Sequence, residues 1–66
     1  MKAYNVKYGA KVKVIDDNIE IPPASIPVNK GDEIKILRVD GMYCKGINKD
    51  NDKVFIAAWT EVEQIQ

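Results

Sequence analysis

Lys11-Val12-Lys13-Val14 alternates polar and apolar side chains, and Ile34-Lys35-Ile36 repeats the pattern. A period of two marks a strand with one buried face and one wet face. Leu37 breaks the alternation, as at a bend or where both faces are covered. Met42 to Ile47 and Lys53 to Ala58 read as two further strands, and Val62 to Ile65 as a short last one. Valine and isoleucine together number sixteen, against a single leucine. β-Branched side chains suit a pleated surface and crowd a helix, so this balance favours sheet. Gly9, Gly31 and Gly41 punctuate the runs, Pro22 and Pro23 fall in a connection, and Asn48-Lys49-Asp50-Asn51-Asp52 is a polar turn. No window carries a long amphipathic helix, although Ala57-Ala58-Trp59-Thr60-Glu61 has room for one tight helical turn. Five short strands in one small chain predict an all-β barrel, because closure removes exposed sheet edges. Its core is expected to include Val12, Val14, Ile34, Ile36, Val54, Ile56 and Val62.

A chain of 66 residues makes one domain, 1–66, near the lower limit for folding unaided. A core of that size rarely supplies more than about 3–5 kcal/mol, so small scaffolds often add disulfides, a metal or a partner. The single cysteine, Cys44, forbids an internal disulfide, and without any histidine it makes no zinc site. No cofactor or metal is expected, and stability must come from packing, alone or with self-association into a homo-oligomer. Ten Lys and Arg balance ten Asp and Glu, for a formal net charge of zero. Lysine outnumbers arginine nine to one, a bias that points toward an AT-rich phage or bacterial genome. No apolar run approaches the ~20 residues that cross a bilayer. Met1-Lys2-Ala3-Tyr4-Asn5 has no apolar stretch after its lysine, as a secretory signal would. With one unpaired thiol, the chain reads as a whole cytoplasmic gene product with no membrane association.

Several stretches resemble a known family. Ile26-Pro27-Val28-Asn29-Lys30-Gly31-Asp32 is similar to the segment that leads an SH3 domain through its diverging turn. Ile34-Lys35-Ile36-Leu37 resembles the strand that follows. Asp40-Gly41-Met42-Tyr43-Cys44-Lys45-Gly46 resembles the family's Asp-Gly-Trp-Trp-x-Gly stretch, and Val54 to Ile65 its final strand, helical turn and closing strand. The likeness implies a small five-stranded SH3-like barrel with one short helical turn. Val14 to Ile26 would be its long first hairpin loop, acidic at Asp16, Asp17 and Glu20.

Departures from the family pattern bear on function. Domains of this family that bind proline-rich peptides present an aromatic-lined groove to a preformed polyproline helix. Here Met42 stands where the first tryptophan of the pair is expected, Ala57 or Ala58 where the proline is, and about Glu61 where the tyrosine is. Tyr4 and Tyr8 only loosely match the early tyrosine pair. The proline-peptide groove is therefore not retained, and fold does not carry function with it.

The residues favour binding over catalysis. Cys44 has no histidine to activate it, and its place in a strand suits a small buried apolar residue. The acid pairs Asp16-Asp17 and Glu61/Glu63 read as solvated surface, and the Asn48–Asp52 turn is too short for a calcium loop. The chain is expected not to be an enzyme. Tryptophan and tyrosine are enriched at interface hot spots. Tyr43 and Trp59 are thus the expected apolar centre of a protein contact, with Met42 among the contact residues and Asp16, Asp17 and Glu20 as a charged rim. The expected function is a small protein-interaction or regulatory module that docks on a larger protein or pairs with itself. The alternative is a nucleic-acid-binding barrel using Lys7, Lys11 and Lys13 with Tyr4 and Tyr8, because residues 1–15 carry four lysines and no acid. Zero net charge weighs against that alternative.

Overall fold

The alternating stretches form strands in the computed structural model, which describes residues 1–65; Gln66, the last residue of the expected domain, lies outside the described residues. The strands are β1 (Lys11–Val14), β2 (Glu33–Asp40), β3 (Tyr43–Ile47), β4 (Lys53–Ala57) and β5 (Val62–Gln64). They make one antiparallel sheet in the order β4-β3-β2-β1-β5. The fold is all-β, as the β-branched composition requires, and wraps into a body of 28 × 23 × 22 Å.

One face of each strand turns inward. Val12, Val14, Ile34, Ile36, Val54, Ile56 and Val62 are all buried, joined in the core by Ala3, Val6, Val28 and Cys44. Burying a Val- or Ile-sized side chain is worth about 1.5–3 kcal/mol, so these residues supply most of the folding drive. Leu37 marks an irregularity: the β2–β3 register runs Lys35↔Ile47, Ile36↔Gly46, then Arg38↔Lys45. The extra residue lets β2 bend while Val39 still faces inward and Arg38 outward.

The expected helical turn is displaced. Ala57 to Thr60 is a single hydrogen-bonded turn, closed by the Thr60 N–H donating to the Ala57 carbonyl at 3.0 Å. The buried Thr60 hydroxyl donates to the same carbonyl at 2.6 Å, and the Ala58 and Thr60 carbonyls are taken by the Tyr4 and Ala3 N–H groups, so neither is left for a continuing helix. The 3-10 helix lies instead at Ala3–Asn5, a segment with no hydrophobic period to announce it. It is placed by long-range bonds: the Ala3 N–H donates to the Thr60 carbonyl and the Val62 N–H to the Met1 carbonyl, at 2.9 and 2.8 Å. The first residues thereby cover the outer edge of β5.

Candidate functional site

Turn chemistry sets out an exposed apolar end of the molecule. Strands β2 and β3 are joined through Asp40-Gly41-Met42-Tyr43, with Asp40 and Tyr43 in register. Gly41 has φ of 66°, the left-handed conformation that the first central residue of this tight hairpin needs. Met42 then occupies the tip, 63% exposed. The Ala58 N–H donates to the Met42 carbonyl at 2.8 Å, and the Tyr4 N–H donates to the Ala58 carbonyl at 2.9 Å. Ala58 thus holds the hairpin tip, the β4–β5 turn and the N-terminal helix together. Trp59, next in the chain, is 40% exposed, and Tyr4 is 52% exposed. Tyr43 is half-buried, opposite Ala57 on β4. Met42, Tyr43 and Trp59, singled out in the sequence, are brought to one end; Tyr4 joins them there rather than the lysines of β1.

The acidic residues are not equivalent. Asp16 is occupied inside the domain: its Oδ1 accepts the Asn18 N–H and its Oδ2 the Glu61 N–H, both at 2.9 Å. Those bonds, the Glu61 amide first, hold its carboxyl below the usual range. Asp17 pairs with Lys30 at 2.6 Å, both exposed, and that hydrogen bond raises the Lys30 pKa. Glu20 is exposed, and its carbonyl accepts the Ala57 N–H at 2.9 Å, which seats it beside the β4–β5 turn. Of the three expected rim acids, Glu20 is therefore the one whose backbone lies against the apolar end. Lys2 and Glu61 form a further pair at 2.6 Å; their hydrogen bond raises the Lys2 pKa and lowers that of Glu61.

Lys7, Lys11, Lys13, Tyr4 and Tyr8 do not form one cluster. Lys7 lies before β1, outside the strand. Lys13 sits between two acids, in register with Glu33 on β2 and Glu63 on β5. The Tyr8 hydroxyl accepts the Val39 N–H at 3.2 Å, over β2. Cys44 is 1% exposed, and burial pushes its thiol pKa up, away from a reactive thiolate. Among the described residues no helix is long and apolar enough to cross a membrane.

Fold and surface together describe a small antiparallel β domain with one exposed aromatic–thioether end. Comparison with protein-family models, with curated proteins and with solved structures gives no match.

Proposed function

We propose that this chain is an SH3-like docking module whose contact surface centres on Met42, Tyr43 and Trp59, with Tyr4 at its margin. The observation that carries the reading is Ala58, whose amide and carbonyl tie the Met42 tip and Tyr4 to the Trp59 turn. Backbone already held by hydrogen bonds need not be ordered on binding, which lowers the cost of docking the apolar side chains it carries. The partner is a protein, or a second copy of this chain. With Met42 and alanines in place of the aromatic and proline plates, proline-rich peptides bind weakly or not at all.

The test is comparative capture on immobilised wild type and on folded Met42→Asp and Trp59→Ala forms. Retained proteins are identified by mass spectrometry, then titrated as purified proteins. Hot-spot loss of at least about 2 kcal/mol corresponds to a roughly 30-fold weaker Kd. Sedimentation of the free chain across a concentration range reads self-association by the same surface. Equal binding and equal association by wild type and both folded variants sinks the proposal.

A further inference from the structure

The outer face of the sheet carries a charge pattern that the linear sequence conceals. Across four strands, Lys11 is in register with Lys35, Lys35 with Ile47, and Ile47 with Lys53. In the next row, Arg38 is in register with Lys45, and Lys45 with Phe55. Among the described residues, five cations and no carboxylate occupy these two rows. Acids border them: Glu33 and Glu63 flank Lys13 in the row on one side, and Asp40 lies in the row on the other. A zero net charge is thus segregated in space, with a basic band running across the strands.

Two of the cross-strand pairs, Lys11 with Lys35 and Arg38 with Lys45, set like charges opposite each other. Like charges in that position destabilise a sheet. The adjacent row shows the remedy, a glutamate on either side of Lys13, yet the two basic rows lack it. Among the described residues Lys11, Lys35, Lys45 and Lys53 enter no ion pair, and Arg38 reaches only the exposed Asp40, at 3.6 Å. Part of the band opens into a cleft of about 310 Å³ lined by Lys11, Lys35, Lys49 and Ile47, with the bordering acid Glu33 at its wall. Half-buried Ile47 and Phe55 interrupt the cations with apolar surface. Phosphates spaced along a chain answer the unpaired cations, and flat bases answer the apolar positions; this combination is how single strands are held without sequence preference.

We infer that this basic band binds single-stranded nucleic acid, laid across the strands from β1 to β4. The band borders the Met42–Trp59 end at Tyr43, in the row of Asp40, but the inference does not depend on the docking reading. The test is fluorescence anisotropy with a labelled oligodeoxythymidine of about 12 nucleotides, titrated over a salt series. Wild type should bind at low salt, with log K falling linearly in log salt at about 0.7 per phosphate contact. Lys35→Glu/Lys53→Glu should weaken binding at least tenfold and lower the slope by about 0.7 for each lysine lost. Phe55→Leu, which keeps apolar volume and removes the ring, should weaken it between about fivefold and a hundredfold. Lys7→Glu/Lys13→Glu, an equal change of net charge outside the two rows, should weaken binding at least about threefold less than Lys35→Glu/Lys53→Glu at about 0.15 M salt, where the Debye length is about 8 Å, with circular dichroism confirming that every form is folded. No binding by wild type at low salt overturns the inference. So does equal binding by the folded Lys35→Glu/Lys53→Glu form. If poly-glutamate displaces the oligonucleotide at equal charge and Phe55→Leu binds like wild type, the occupant is an acidic polypeptide and the nucleic-acid assignment fails.

Discussion

The Asp16 carboxylate accepts the Glu61 N–H at 2.9 Å, across 45 residues of chain. It pins the start of the long loop after β1 to the start of the closing strand. A side chain that reads as surface acid is in this way a structural clasp.

That clasp has a pH signature. The folded Asp16 pKa is depressed, chiefly by the Glu61 amide. Its contribution to stability is therefore present above the unfolded aspartate pKa of about 3.9, and is lost as pH falls through the lower folded value. Thermal midpoints of wild type and Asp16→Ala should differ by a constant amount at neutral pH and begin to converge only as pH falls below about 4. A difference independent of pH would show that the carboxylate is not the acting group.

Ile36 lies at the centre of β2 with no exposed surface. Truncation to alanine should cost about 2–5 kcal/mol and to valine about 0.5–1.5 kcal/mol, read by urea unfolding. The alanine cost matches the whole stability expected of so small a core, so that form should be largely unfolded at room temperature. A negligible loss in both would contradict the register.

Gly46 faces inward on β3, opposite Ile36. A Cβ there would lie 2.8 Å from the Lys35 carbonyl oxygen, a backbone atom that moves only if β2 and β3 separate. Gly46→Ala should destabilise by about 1–3 kcal/mol, as overpacking does. Unchanged stability would mean that the two strands are not so closely apposed.

Met42 is the most exposed large apolar side chain. Met42→Ala should leave stability within about 0.5 kcal/mol, as surface changes away from special features do, while partner binding or self-association weakens. A large stability loss with unchanged association would make the hairpin tip a structural element.

Cys44 should react with a disulfide reagent only as fast as the domain opens, because its thiol is buried and its pKa is raised. Labelling rates measured against urea should rise with the unfolded fraction. Rapid labelling of the native protein would place the thiol at the surface.

Much of this protein is legible in local pattern. The alternation in Lys11–Val14 and Ile34–Ile36 names the inward residues, and the break at Leu37 coincides with the register shift after Ile36. These features depend on neighbours one or two residues away. The turn at Ala57–Thr60 is harder to read, because its form depends on the Thr60 hydroxyl bonding back to Ala57 and on Ala3 binding the Thr60 carbonyl. Asp16 is harder still, since its partner lies 45 residues further along the chain.

The sequence by itself determined that this chain is all-β, which of its valines and isoleucines face inward, and that Tyr43 and Trp59 are candidate anchors with Met42 beside them. A period of two and turn-forming residues act over a few positions, and composition needs no coordinates. Only the tertiary structure decided that Tyr4 stands with Met42 and Trp59, that Lys13 is in register with Glu33 and Glu63, and that Lys11, Lys35 and Lys53 share one row. Strand order and register place residues far apart in the chain side by side. In a chain with no net charge, that placement creates a local electrostatic field that composition cannot show.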